Sequence, residues 1–380
     1  MSKLFSRRNF VKLLGLGSAA FVISPAQAFA NNANSDTVTF TQELAKDMAQ
    51  RFADTNYADM NLSAASAVKY FDTDWNACGY IVDYTKNEIP FGYIILDASI
   101  ENTIAEYSIG EEVISPFRNA VSSSPSRSLD DESNYYPIRI SPIEYCAVNR
   151  YTGDTYTNNG LAATISIPKS KDPSTWNDVS IGVVDLYRNH TITASGQFEQ
   201  WNVISESEIE AMTGRYACVV TACFYIACDF GLASKTDSDQ YLRIWDYTGT
   251  TTDHISGGIT YGTTNVTNGM SGFASYCSSR GKAISQRTTS SKPDFSEYVS
   301  SIEEGRHCLM HGWLWTLDSS GNYVESGHTM SVIGYARAIN KETGDGLRVL
   351  QVLDGWYRTV RYINFDFTNY ANFRGTFLSA

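Results

Sequence analysis

The sequence predicts an α+β protein built in two parts. Three patterns carry that prediction. A nearly unbroken apolar helix ending at Gly231 precedes several strand-like runs, a shorter amphipathic helix near the N-terminus precedes a β-rich meander, and a polar stretch separates the two groups.

In the first part, Thr39 with Gln42 three residues on resembles a capping box, and Phe40, Leu44, Met48 and Phe52 then recur every fourth residue, so a helix is expected from Phe40 to Asn56. Gly79 to Tyr84, Phe91 to Ala98 and Thr103 to Ser108 are rich in β-formers. Lys86-Asn87-Glu88 and Asp97-Ala98-Ser99 separate them as turns. Residues 31–121 therefore read as one helix against a small antiparallel sheet. A linker is expected at 122–136, where Ser122 to Ser128 and Asp130-Asp131-Glu132 offer no apolar surface to bury.

Residues 137–196 form an extension with strand fragments at Ile138 to Ile140 and Ala163 to Ile167, and a loop from Pro168 to Pro173. No chemistry is legible there. Residues 197–380 hold the apolar helix, a polar Thr/Gly-rich middle from Ser234 to Gly269, and closing strands at His307 to Leu314, His328 to Tyr335, Arg348 to Leu353 and Arg358 to Ile363.

The first thirty residues read as a twin-arginine export signal. Arg7-Arg8 stands before Phe10 and Lys12, an apolar run follows from Leu13 to Ile23, and small residues close it at Ala26-Gln27-Ala28-Phe29-Ala30. The run is well short of the roughly 20 residues that span a bilayer, so no stable membrane insertion is expected. Loss of this segment removes Lys3, Arg7, Arg8 and Lys12 and no acid, taking the formal charge from −12 to −16. Such a surface repels phosphate backbones and anionic lipid, which argues against nucleic acid as a partner. A secreted or cell-surface location follows.

Seven cysteines, at 78, 146, 218, 223, 228, 277 and 308, are an odd number and mostly scattered, unlike a disulfide scaffold. Cys218 falls in the first turn of the apolar helix, where unpaired N–H groups and the positive end of the dipole favour a thiolate. Cys223 and Cys228 lie deeper and read as core. Downstream, His328 opens an apolar strand behind Gly327, and Asp354 closes the strand Val349 to Leu353 ahead of Gly355-Trp356. A thiol, an imidazole to exchange its proton and a carboxylate to hold the imidazole's tautomer are the parts that acyl transfer needs. His307 and His311 flank Cys308, but no Glu follows the first His, so neither a metal site nor a cofactor is expected; His307 stays a second-choice base. His190 and His254, in polar surroundings, read as surface residues.

The order of Cys at a buried helix N-terminus, His opening a strand and Asp closing the next resembles the papain-like cysteine peptidases. Cys218-Val219-Val220-Thr221-Ala222 is similar to the nucleophile motif of the streptopain family and of bacterial peptidases related to bacteriocin-processing enzymes. The similar region runs from Gln197 to Phe367. The resemblance implies a papain-like domain and a peptidase acting on peptide or protein substrates, with Cys218 as nucleophile and His328 as base. Two departures stand out. Met212 takes the place of the family's usual Gln six residues before the cysteine, leaving Gln200, or else Gln197, as oxyanion-hole candidate, and Asp354 stands where many relatives have Asn. Gly79 to Asp83, Phe91 to Leu96 and Ile104 to Ser108 are similar to streptopain-type pro-regions. That similarity implies an intramolecular pro-domain or a retained accessory domain, with the linker as a processing site. An amide hydrolase or acyltransferase acting on cell-wall peptides, and a non-catalytic surface-binding protein, fit the same residues.

Overall fold

The computed structural model describes residues 37–100, 103–124, 129–158, 162–165, 167, 179–182, 185–186, 189–199, 201–318, 320–340, 344–367 and 371–379. The expected export signal at 1–30, the expected loop Pro168 to Pro173, part of the expected linker and Gln200 lie outside the described residues.

The protein is a mixed α+β structure. Its first part comprises β1 (Thr37–Thr39), α1 (Gln42–Asn56), β2 (Ser63–Phe71), β3 (Ala77–Lys86), β4 (Ile89–Asp97), β5 (Ile104–Ile109) and α2 (Pro116–Ser122). Helix α1 matches the expected span, but its side-chain cap is Thr41, whose Oγ1 accepts from Leu44 N at 3.3 Å. Thr39 instead ends β1, which pairs with β10 (Ser180–Gly182). Ala45, Met48, Ala49, Phe52 and Ala53 form the buried stripe of α1, and it packs on the meander β2 to β5.

The expected linker does not separate two bodies. Helix α2 ends at its first residue, a 3₁₀ turn spans Leu129–Asn134, and Tyr135 and Tyr136 are buried at the head of β6 (Tyr135–Ser141). Strands β7 (Glu144–Asn149), β8 (Asp154–Thr157) and β9 (Ala162–Thr164) then extend the same sheet. Aromatic side chains scattered through a polar segment supply the apolar surface that its overall composition hides.

The second part follows β11 (His190–Gln197) with α3 (Glu206–Thr213), β12 (Arg215–Tyr216), α4 (Cys218–Asp229) and α5 (Ser238–Tyr247). Next come β13 (Thr251–Ser256), β14 (Ile259–Thr263), α6 (Val266–Ser279), β15 (Ser285–Thr288) and α7 (Phe295–Glu303). Four long strands, β16 (Cys308–Leu317), β17 (Tyr323–Asn340), β18 (Gly346–Leu353) and β20 (Ala371–Ser379), and the short β19 (Arg361–Asn364) beside β18 complete the second part. The polar middle contains α5, β13, β14 and the start of α6. Its hairpin β13–β14 is exposed throughout β13, which explains the Thr/Gly composition.

One fifteen-stranded sheet runs through both parts, in the order β15-β20-β16-β17-β18-β19-β5-β4-β3-β2-β6-β7-β8-β9, with β11 added beside β17. The seam is antiparallel, with Tyr362 opposite Tyr107 and Ile363 opposite Glu106. Ser108 Oγ donates to Val360 O at 2.7 Å, Asn364 Nδ2 donates to Ile104 O at 2.8 Å, and the Tyr107 and Tyr362 rings stack at 4.5 Å. Pairing here uses up what would otherwise be two exposed sheet edges.

The close approach of β3 and β4 requires glycine at 79. A Cβ there would lie 1.9 Å from Leu96 O, whereas one at Gly346 would meet nothing within 4 Å. Chemical denaturation should therefore show Gly79→Ala losing about 1–3 kcal/mol, the usual penalty for overpacking, with Gly346→Ala unchanged within about 0.5 kcal/mol.

Candidate functional site

The site forms where α4 ends against the unpaired flank of β17. Helix α4 is apolar on all sides and Val219 to Ala227 are buried, so it is held in the core between the sheet and neighbouring helices. Its N-cap, Ala217, has no side chain able to cap, and Gly214, at φ 66°, turns the chain just before it. The first N–H groups of the helix are thus left for something else. On one side β17 pairs with β16, Gly312 opposite His328; on the other, pairing with β18 begins only at Ser331. The N-terminus of α4 fills the gap. Cys218 Sγ reaches Gly327 O at 3.8 Å and is also acted on by the N–H and hydroxyl of Thr329. The thiol therefore meets the two residues flanking His328, and both Cys218 and His328 line one cavity of about 480 Å³ together with Trp313, Asn265 and Arg374.

His328 is buried, its ring stacked on Trp356 with centroids 4.4 Å apart and planes at 23°. Its Nε2 has no hydrogen-bond partner among the described residues. Burial pulls the imidazole down to about 4, opposed by the charge and main-chain carbonyl of Asp354. The ring is consequently neutral at physiological pH.

Asp354 does not hold the imidazole through its carboxylate as the sequence suggested. Oδ1 accepts from Trp356 N at 2.9 Å and Tyr357 N at 3.2 Å, and Oδ2 accepts from Arg361 at 3.1 Å. The physical reason is local. Asp354 begins a turn whose second and third N–H groups need an acceptor, and a buried guanidinium beside it needs a counter-charge. Gly355 completes that turn at φ 85°, under the Tyr216 hydroxyl.

The expected depression of the Cys218 thiol is not found either. Burial pushes it up, more than the N–H groups of Thr329, Val219 and Cys218 itself pull it down. Desolvation of the sulfur thus outweighs what the helix N-terminus contributes, although Cys218 is only partly buried and lines the cavity. The resting pair is therefore thiol and neutral imidazole.

The other histidines sort themselves. His311, inside the expected strand, also lines the cavity, with Nδ1 2.9 Å from Thr329 Oγ1 and Nε2 2.9 Å from Thr376 Oγ1. Both nitrogens are thus taken by hydroxyls. His307 packs between Phe198 and Phe230, away from the cavity. His190 is buried, contrary to the surface position expected, because it opens β11 beneath α1, where Asn56 Nδ2 donates to its carbonyl at 2.8 Å. His254 is exposed as expected and stacks on Tyr261. Cys223 is buried; Cys228 is half-buried, and all seven cysteines are free. Gln197 ends β11 opposite Gly334. Among the described residues no group of three or more His, Cys, Asp or Glu is arranged to hold a metal, and no helix is long and apolar enough to cross a membrane.

Sequence reasoning missed Arg361, Glu106 and Tyr93. Arg361, buried at 2% exposure, donates to Asp354, to both oxygens of Glu106 at 2.8 and 2.7 Å, and to Ile143 O at 2.9 Å. Tyr93 donates to Glu106 at 2.7 Å. A single charge inside an otherwise apolar strand, as in Val360-Arg361-Tyr362-Ile363 or Ile104-Ala105-Glu106-Tyr107, was the available signal. No family model matches this chain, and no curated relative matches it.

By NMR, the His328 ring should titrate with a midpoint near 4. Asp354→Asn removes the negative charge that raises it, so the midpoint should move lower still; an upward move would mean that the carboxylate is not the group acting on the ring.

Proposed function

We propose that the protein is a cysteine peptidase of papain-like fold that cleaves peptide bonds through a thioester at Cys218. One observation carries the reading. A thiol in the first turn of a buried helix, at an open cavity, lies against the strand residues on either side of a neutral, buried imidazole.

In this mechanism the imidazole works as a general base and not as half of a resting ion pair. As Sγ attacks the peptide carbonyl, His328 takes the thiol proton. The carbonyl oxygen becomes an oxyanion, for which the N–H groups at the start of α4, left without a side-chain cap, serve as donors. Collapse of the tetrahedral species breaks the C–N bond, and the imidazolium returns its proton to the departing amine. Water then attacks the thioester with His328 again accepting a proton; the acid leaves and the thiol is restored. Trp356 keeps the ring flat against the wall of the site and shields it from water. On this reading the twin-arginine pattern at Arg7-Arg8 supports a reaction outside the cytoplasm, with peptides or proteins as substrates.

A second reading, a non-catalytic binding protein, draws on one observation: burial pushes the Cys218 thiol up, so no preformed thiolate marks the site. Turnover of a fluorogenic peptide library separates the two. Cys218→Ala should abolish hydrolysis, His328→Ala should reduce kcat by about 10²–10⁴-fold, and Cys223→Ala should leave it near wild type provided it folds. Activity should be lost as pH falls through about 4, where His328 becomes protonated and can no longer accept the thiol proton. Limited iodoacetamide at pH 6 should label Cys218 no faster than a model thiol. Absence of any Cys218-dependent turnover would favour the binding protein.

A further inference from the structure

We propose that Glu106, contributed by the N-terminal meander, is a positioning residue for the His328 site, and that β2 to β5 are a permanent part of the working molecule and not a removable cover. The inference rests on the peptidase reading for its consequence in turnover, but its geometry stands apart from it.

The chain of contacts is short and fully buried. Glu106 lies opposite Ile363 across the β5–β19 seam, which puts Arg361, two residues earlier on β19, diagonal to it on the same face. Tyr93 sits diagonal to Glu106 on that face from β4, since Ile95 is the direct partner. Glu106 is 0% and Arg361 2% exposed, and the guanidinium divides its donors between Glu106 and Asp354. Asp354 then acts on His328 in three ways: by its charge, by its main-chain carbonyl and by fixing the turn that carries Trp356 onto the ring. Loss of Glu106 would leave Arg361 with Asp354 as its sole carboxylate partner. The guanidinium would then turn toward Asp354, or draw that turn toward itself, and the imidazole would follow.

The same contacts bear on processing. A cut in the linker would leave β5 paired to β19 and Glu106 paired to Arg361, and neither contact depends on the chain between them.

The test uses the full chain carrying Glu106→Gln, an isostere that keeps the shape and removes the charge. The His328 ring signals in ¹H–¹⁵N NMR should shift from wild type, and kcat should fall by about tenfold with KM within about twofold, the pattern of a group acting on the transition state through another residue. Tyr93→Phe, which removes one donor and leaves the charge, should move the same signals in the same direction by less. A lowered Tm with His328 signals unchanged in both variants would overturn the proposal and reduce Glu106 to a structural tie. Should Glu106→Gln fail to fold, Tyr93→Phe decides alone, and unchanged ring signals there overturn it. Because the NMR readout needs no turnover, a wild type without peptidase activity would sink the enzyme reading while leaving this one to be judged by the ring.

Discussion

A guanidinium with almost no access to water constrains the centre of this molecule. Arg361 cannot be neutralised at any physiological pH, so its burial is tolerable only if its donors are met by charge and by carbonyl oxygen. Glu106, Asp354 and Ile143 O meet the two terminal nitrogens, from three separate stretches of chain, while Nε has no hydrogen-bond partner among the described residues. Removing one partner of a buried pair typically costs about 3–5 kcal/mol, because the other is left uncompensated. The β5–β19 seam, the Asp354 turn and the start of β7 are thereby tied to one point, and the two halves of the sheet cannot drift apart without exposing it.

Burial around that point also decides the protonation states at the site. The imidazole of His328 is pulled to about 4 and the Cys218 thiol is pushed up, each by desolvation before any other cause. Glu106 is pushed up by burial and pulled back by Arg361 and the Tyr93 hydroxyl; Glu144, close by, is pushed to about 7. Such surroundings suit proton transfer between neutral partners better than a standing thiolate–imidazolium pair, since a low dielectric penalises separated charge. The site's chemistry thus follows from the depth at which the helix N-terminus is set.

The fold was legible where the local pattern was strong. The meander strands at Gly79 to Tyr84, Phe91 to Ala98 and Thr103 to Ser108 fall inside β3 to β5 with shifts of a few residues, and the apolar run after Gly214 became α4. Strand β2 and the ordered hairpin β13–β14 were missed because their side chains are mixed or polar, which in a half-exposed strand is ordinary. At the end of the expected linker, Tyr135 and Tyr136 bury themselves against neighbours remote in sequence.

The sequence by itself determined the strongly patterned elements and the residue types available for chemistry, because helix and strand periodicity, glycine turns and a cysteine at a helix start are local properties. It also pointed to Cys218, His328 and Asp354 as a set. Only the tertiary structure decided what each of them does to the others. The stacking of Trp356 on His328 and the link from Glu106 through Arg361 to Asp354 depend on contacts up to 255 residues apart in the chain. The protonation states depend on them too, since a pKa is set by burial and by the charges that folding brings near, and no stretch of sequence contains either.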